Sequence, residues 1–426
     1  MGVMSILRLI EAFSGIGAQA QALTNIGADF KTVATVEWEI GAMYAYDILH
    51  NGKQDLTPYR HHTKSSLVEC LSQYNLSNDG KTPLTVNSLN SMSTYHLKQI
   101  LAAIDNTNNL VDITNVSAND LPDGDILTYS FPCQDLSVGG NWHHNSGGID
   151  RNAKNRSTLL WQIERILKEY QQIDKNLPRY LLMENVSAIL SDKHIGNFME
   201  WCTFLEDLGY VNKVLTLDAR NFGIPQFRVR TYMLSVKAED KQERSLIENY
   251  LRDNDLENTK EFAIEMEPLD KYLRLDYDNP TYKTEALLST PHYTPSREKI
   301  FKSNPHLAVD RNVFEGEYAR TITTKQDRNP NSGIVTFNKE ILTDKNRYYR
   351  NLTPRECFLL MGVKEEDYDK LMDNNYYISK DKRILPDSKL IKLAGNSIAI
   401  PVLEAIFKQI EELDAILNHS FSEIYS

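Results

Sequence analysis

The stretch Ile6-Leu7-Arg8-Leu9-Ile10-Glu11-Ala12-Phe13-Ser14-Gly15-Ile16-Gly17 decides the fold class. Residues 6–13 form an apolar run of strand length that enters the turn F-S-G-I-G (13–17). Ala18, Ala22, Leu23 and Ile26 follow at helical spacing, and Gly27 closes the run. Strand, glycine turn and helix are the opening unit of a nucleotide-binding α/β domain. The glycines let backbone approach a ligand, and the helix N-terminus adds its dipole. A lone G-x-G turn is also shared by many tight strand-to-helix connections. Its value rises with Val33-Ala34-Thr35-Val36, a second strand with Glu37 at its end. That is about 20 residues past the glycines, where a carboxylate accepts hydrogen bonds from a ribose. Trp38 beside it offers a flat face for an adenine ring. A strand-end carboxylate next to a core tryptophan is the alternative that these residues leave open.

Further along, Asp125-Ile126-Leu127-Thr128-Tyr129 reads as a buried strand that runs into S-F-P-C-Q-D-L-S (130–137). Pro132 fixes its own φ and biases Phe131 towards extended geometry, so Cys133 is presented from a stiff turn. A cysteine there is a candidate nucleophile, because loops at the C-terminal ends of such strands carry chemistry; the alternative is a small core filler. Tyr180-Leu181-Leu182-Met183 is another strand, with Glu184-Asn185 at its end. Glu184 is a second candidate for chemistry, against a reading of Asn185 and Ser187 as helix caps. A strand around Val214–Leu217 precedes Phe222 to Arg230, and Tyr232-Met233-Leu234 is strand-like. Arg228 and Arg230 alternate, so on one strand both would share a face, as oxyanion or phosphate ligands or simply as solvated cations.

The chain has 426 residues, 41% hydrophobic and 25% charged, which fits a globular protein with ample length for a core. Its four cysteines (Cys70, Cys133, Cys202, Cys357) lack a C-x-x-C pair, so neither a disulfide framework nor a zinc site is expected, and no metal is expected elsewhere. The first residues are too short and too charged for a signal peptide, position 6 is isoleucine where myristoylation wants Ser or Thr, and no apolar run of membrane-spanning length is expected. A net charge of −11 argues against a wholly basic nucleic-acid binder but leaves room for a local basic surface. Residues 237–280 carry 13 acidic and 7 basic side chains, whereas residues 318–356 carry 8 basic and 4 acidic. The second segment is where phosphates are expected. Residues 51–110 are polar and rich in Asn, Ser and Thr around one helical pattern, Leu97-Ile100-Leu101-Ile104, and read as an insertion with one or two helices and no legible function. After Ser235 the texture turns charged and irregular, which marks a second domain. Order returns at Thr353-Pro354-Arg355-Glu356, an N-cap with proline in the first turn, and again at Ala394-Gly395-Asn396-Ser397-Ile398 leading into a helix from Val402 to Leu417.

Five stretches resemble, in order, the motifs of DNA cytosine-5 methyltransferases: F-S-G-I-G (13–17), P-C-Q (132–134), E-N-V (184–186), Q-F-R-V-R (226–230) and G-N-S-I (395–398). E-W (37–38), D-I-T (112–114) and R-E-C-F-L-L-M-G (355–362) fit the intervening motifs. The ordered set is specific where each member alone is weak. Ser130 and Val111 stand where that family commonly has glycine, and the 51–110 insertion is long for it.

The resemblance implies an α/β fold: a Rossmann-like, S-adenosylmethionine-dependent methyltransferase domain with a smaller, irregular target-recognition domain. The expected boundaries are 1–235 for the catalytic domain, 236–380 for recognition and 381–426 for a C-terminal segment completing the catalytic domain. By the same resemblance Cys133 adds to cytosine C6, Glu184 protonates N3, Arg230 donates to O2 and Arg228 orients the site. Phe13, Gly15, Gly17, Glu37, Trp38, Asp112, Asn396 and Ser397 would hold S-adenosylmethionine, whose product is S-adenosylhomocysteine. Arg320, Thr323, Lys325 and Arg328, in the basic segment, would contact double-stranded DNA, and the target base must be flipped out. A monomer in the bacterial cytoplasm is implied, with no membrane and no direct contact to a cognate restriction endonuclease. The alternatives are an RNA (tRNA) cytosine-5 methyltransferase of the same fold, whose C-F-T signature is absent because Thr203 follows Cys202, and a non-catalytic DNA-binding relative, against which Cys133 and Glu184 argue.

Overall fold

The computed structural model describes residues 6–132, 136, 148–151, 156–309, 311–326, 332–336 and 349–424. They fall into two compact units, Met1–Leu217 with Val229–Phe262 and Leu403–Ser426, and Asp218–Arg228 with Ala263–Val402.

The first unit is built on strands β1 (Leu7–Ala12), β2 (Phe30–Val36), β3 (Ile126–Tyr129), β4 (Tyr180–Val186), β5 (Tyr210–Asp218) and β7 (Val229–Lys237), in the order β2-β1-β3-β4-β7-β5. Strands β1 to β4 are parallel, and β7 runs antiparallel to β4. Parallel strands are covered on both faces and therefore read as unbroken apolar runs. All four residues of β3 are buried, as are Tyr180 to Met183 of β4. The turn after β1 needs left-handed backbone at three positions, with φ 59° at Phe13, 56° at Gly15 and 80° at Gly17. A Cβ on Gly17 would lie 2.1 Å from Nε2 of His50, so only glycine fits there. Helix α1 (Ala18–Ile26) leaves that turn, and α2 (Ile40–Asn51) follows β2.

Residues 51–110 hold three α-helices, one more than expected: α3 (Lys64–Leu71), α4 (Val86–Ser91) and α5 (Thr94–Asn106). Their polar texture is partly capping chemistry, since Thr63, Thr85 and Ser93 each accept a backbone N–H at a helix start. Helix α5 packs on α2 and α3 and buries Leu97, Ile100, Ala102 and Ala103, so the segment belongs to the first unit.

The units are bounded differently from the texture of the chain. Residues 236–262 stay with the first unit: the helix Lys241–Asp253 buries Ile247 and Leu251, and its Glu243 pairs with Arg179 at 2.8 Å. Its charge is the solvated side of an amphipathic helix. The last helix begins at Ile400 and runs to Ile424. The helical stretch 387–418 has a window apolar enough to cross a membrane, contrary to the sequence expectation, but Leu403, Ile406, Phe407, Ile410 and Leu413 are buried. They are core residues, not lipid-facing ones.

In the second unit β6 (Gln226–Phe227) pairs in parallel with Ala319–Arg320, and Tyr349–Asn351, Ile334–Thr336, His306–Val309 and Asn312–Val313 form a four-stranded sheet in that order. Its core is ionic as well as apolar. The guanidinium of Arg350 meets both oxygens of Glu356 at 2.7 Å, with neither side chain exposed, and Glu356 also completes a capping box with Thr353. Arg355 pairs with Glu285 and Asp369. Two of the cations counted in the basic segment 318–356 are therefore interior braces, unavailable to phosphate.

Glu11 of β1 is fully buried, accepts the Tyr46 hydroxyl and the Ala20 N–H, and is pushed up to about 7 by desolvation. The folded state thus keeps a proton that the unfolded chain releases at ordinary carboxylate pH, so this group makes stability fall as pH rises from about 4.5 to about 7. Glu11→Gln should remove a loss on the order of 3 kcal/mol across that window in urea denaturation at pH 5 and pH 8. An unchanged pH dependence in the variant would assign the loss to other groups.

Candidate active site

The C-terminal ends of β1, β2, β3 and β4 converge on one edge of the sheet, the usual place for ligands in open α/β folds. At the end of β1, Phe13 and Ser14 both donate to the carbonyl of Val36, which seats the glycine turn against β2. A Cβ on Gly15 would meet no atom within 4 Å, so space lies over this turn. The half-buried Glu37 carboxylate accepts from Gly15 N at 3.1 Å and Glu39 N at 2.8 Å. Desolvation pushes it up to about 7, against the pull of those two N–H groups. Asp112 is reached through Asn109, whose Oδ1 takes the N–H of both Glu37 (3.0 Å) and Val111 (2.9 Å). Val111 has φ 65°, a left-handed conformation at a β-branched residue. The structure therefore groups Gly15, Glu37, Trp38 and Asp112 around the ends of two strands. A carboxylate beside open backbone, an aromatic face and a second carboxylate fit a nucleoside with its hydroxyls and exocyclic amine.

Glu184 lies near the end of β4. In the antiparallel register Arg230 sits opposite Val186, which shares a sheet face with Glu184. Arg230 Nε is 3.5 Å from Glu184 Oε1, and both side chains are mostly buried. Asn185, on the other face, donates to the Phe131 carbonyl at 3.1 Å, and Ser157 donates to the Pro132 carbonyl at 2.8 Å. They fasten the stretch that leads into Cys133, which itself lies outside the described residues. The cap reading of Asn185 and Ser187 fails: β4 continues through Val186, and the turn Ser187–Leu190 has no side-chain cap. Asn185, Ser157 and Asn109 were not foreseen as site residues. The E-N-V motif (184–186) carried a signal for Asn185, while Ser157 and Asn109 had none.

Arg228 departs from expectation. The chain is not one strand from 226 to 230 but breaks between β6 and β7 at Arg228. The Arg228 side chain is buried and donates to the carbonyls of Ile322 (3.1 Å), Gly395 (3.3 Å) and Ser397 (2.6 Å), so it does not share a strand face with Arg230. A Cβ on Gly395 would fall 2.4 Å from the Thr323 carbonyl carbon, which is why glycine stands there. Asn396 and Ser397 close the helix Asp387–Asn396 and also lead into the last helix, which begins at Ile400, with Asn396 exposed and Ser397 buried. Arg320 and Lys325 are exposed, while the Thr323 hydroxyl donates to the Lys325 carbonyl. Arg328 lies outside the described residues. Among the described residues no cluster of His, Cys, Asp or Glu has the makings of a metal site.

The family profile "C-5 cytosine-specific DNA methylase" matches residues 87–412. The type II methyltransferase M2.ScrFI of Lactococcus lactis subsp. cremoris is 31% identical over 413 residues, covering 95% of this chain and 99% of that protein. The orphan methyltransferase M.SssI of Spiroplasma monobiae is 30% identical over 424 residues, covering 95% and 97%. The solved structure of the S. pombe Dnmt2 methyltransferase aligns with a TM-score of 0.57 at 18% identity, over 97% of this chain and 99% of that one, and shares the fold. The chain belongs to the C-5 cytosine-specific DNA methylase family and is a DNA cytosine-5 methyltransferase with a Rossmann-like methyltransferase fold.

Proposed function

We propose that this enzyme methylates C5 of a flipped-out cytosine in a specific duplex DNA sequence through a transient bond between Cys133 and C6, with S-adenosylmethionine as donor. The observation that carries the reading is the Glu184–Arg230 pair at the sheet edge, beside the fastened stretch that leads to Cys133. Cytosine C5 is a poor nucleophile until a thiolate adds to C6. A free cysteine titrates near ~8.5, so Cys133 must lose its proton with help from its surroundings or the substrate. Addition drives electron density to N3, and the Glu184 carboxyl delivers a proton there while accepting from the exocyclic amine. Arg230 donates to O2 and, with its Nε 3.5 Å from Glu184 Oε1, holds that carboxyl in place. When bound, S-adenosylmethionine supplies an electrophilic methyl group to the activated C5. Solvent then takes the C5 proton, the C6–S bonding pair leaves with Cys133 as thiolate, and N3 returns its proton to Glu184, restoring the aromatic cytosine. A base in a duplex stack cannot be reached this way, hence flipping, as is general for methyltransferases.

Phe13, Gly15, Gly17, Glu37, Trp38 and Asp112 would hold the donor, with Glu37 on the ribose, Trp38 on the adenine face and Asp112 on its amine; Asn396 and Ser397 complete that set by motif. Arg228 is a positioning residue, because its guanidinium is occupied by carbonyls. Arg320, Thr323, Lys325 and Arg328 would contact DNA. The enzyme acts as a cytoplasmic monomer that modifies DNA for a restriction system, or alone as an orphan methylase. The relatives' names, a type II and an orphan methyltransferase, support the modification role alone.

Three outcomes test this reading. DNA carrying 5-fluorocytosine cannot lose its C5 substituent as a proton, so wild-type enzyme should remain bound to it through denaturing electrophoresis and Cys133→Ser should not; trapping by the serine variant would sink the covalent step. Glu184→Gln should bind DNA and donor within a few-fold of wild type yet methylate at least ~10²-fold more slowly in single turnover, since it keeps the shape and loses the acid. A near wild-type rate would reduce Glu184 to a structural role. Neutralising Arg320 and Lys325 together should lower the slope of log affinity against log salt by about two, roughly one per phosphate contact. An unchanged slope would move the DNA surface elsewhere.

A further inference from the structure

Apart from Asn109, the segment 51–110 has no role in the reaction as described so far, yet it touches Glu37, Trp38 and Asp112, the residues assigned to the ribose, the adenine face and its amine. Asn75 Nδ2 donates to Asp112 Oδ2 at 2.7 Å, while the other oxygen of that carboxylate takes the N–H and hydroxyl of Thr114 at 2.9 and 2.8 Å. Both oxygens are thereby fixed in direction. Ser77 bridges the peptide next to Trp38: its N–H donates to the Trp38 carbonyl at 2.8 Å and its carbonyl accepts from Ile40 N at 2.9 Å. Asn109 brackets the peptide of Glu37, accepting from its N–H at 3.0 Å and donating to its carbonyl at 2.9 Å. Three different residues of the segment thus hold Asp112, Trp38 and Glu37.

These contacts are themselves anchored. Leu76 and Ser77 are fully buried, and the Ser77 hydroxyl donates to Thr82 O at 2.7 Å and takes Gly80 N at 3.0 Å, closing the turn. Asn109 is buried and follows directly from α5, whose apolar face is packed into the unit. Asn75 is exposed at the edge, next to the carboxylate it holds.

We propose that segment 51–110 is the frame of the nucleoside half of the donor site, with Asn75, Ser77 and Asn109 as positioning residues acting through Asp112, Trp38 and Glu37. This rests on the donor-site reading above and extends it to the class of ligand group served: an exocyclic amine, a purine face and a vicinal diol. Such a frame acts on nucleoside affinity and leaves the transfer step alone.

The test uses full-length enzyme and calorimetric titration with S-adenosylhomocysteine and with adenosine. Asn75→Ala removes an exposed side chain, so its thermal midpoint should stay at the wild-type value. It should weaken both ligands to a similar degree, roughly 10-fold, as expected for losing a hydrogen bond to a charged group. The KM for S-adenosylmethionine should rise with it, while kcat at saturation and the KM for DNA hold within about 2-fold. Because Asn75 acts through Asp112, it should add nothing in an Asp112→Ala background. Asn109→Ala should show the same KM-only signature through Glu37. The proposal is overturned if Asn75→Ala and Asn109→Ala bind S-adenosylhomocysteine as wild type does while Asp112→Ala and Glu37→Ala do not, or if kcat and DNA affinity fall along with ligand affinity. If Asp112→Ala and Glu37→Ala also bind normally, the donor-site reading fails, and the frame with it.

Discussion

A strand that leaves a parallel sheet loses the ladder that satisfied its backbone, and buried N–H and C=O groups left behind must find other partners. Phe13, Gly15, Gly17, Glu37 and Trp38 of the first unit sit just beyond that point, past β1 and β2. At the end of β1 the Val36 carbonyl takes two N–H groups, and the F-S-G-I-G turn is thereby seated. At the end of β2 the Asn109 carboxamide takes over for the missing neighbour strand. At the end of β3 the carbonyls of Phe131 and Pro132 are claimed by Asn185 and Ser157. Small polar side chains with both donor and acceptor capacity are suited to this task, because each extends the ladder by a residue without committing the chain to another strand. A site at strand ends therefore needs a second set of residues that never touch substrate.

The second unit meets the same requirement with charge. Gln226 accepts from the Ile322 N–H at 3.0 Å, and Arg228 donates to the Ile322 carbonyl, so two side chains two residues apart hold both backbone groups of one residue. Arg228 then continues to the carbonyls of Gly395 and Ser397. A guanidinium has five donors in a fixed plane and suits a point where several carbonyls converge. Inside the unit Arg350 and Glu356 neutralise one another with both side chains fully buried. Removing either partner of such a pair leaves an uncompensated charge, a loss of ~3–5 kcal/mol.

Legibility followed the strength of local signals. The β1–turn–α1 unit, the apolar strands and the Thr353 N-cap with its first-turn proline were readable because period, glycine and cap residues all act within a few positions in sequence. The ends of Glu37 and Glu184 were readable for the same reason. The partner of each was not. Asn109 lies 72 residues from Glu37, and Ser157 lies 25 from Pro132, inside stretches whose composition says only polar. Arg228 misled because alternation implies a shared face only while the strand continues, and one break in pairing removes the implication. Charge counts misled in the same way: Arg350 and Arg355 count as basic, yet they face Glu356, Glu285 and Asp369.

Val111 shows how a departure from a family pattern can be absorbed. Left-handed backbone at a β-branched residue costs on the order of 1–3 kcal/mol, which is the usual reason for glycine at such a turn. Here the side chain is 2% exposed, and burying a valine contributes about 1.5–3 kcal/mol in the opposite direction. The two effects are of one size, so neither residue type is strongly preferred on energy alone. The conformation itself is set elsewhere: the Val111 N–H is held at 2.9 Å by the same Asn109 oxygen that holds Glu37. With the turn fixed by that carboxamide, glycine's freedom is no longer required. The position next to Asp112 can then serve the core as well as the site.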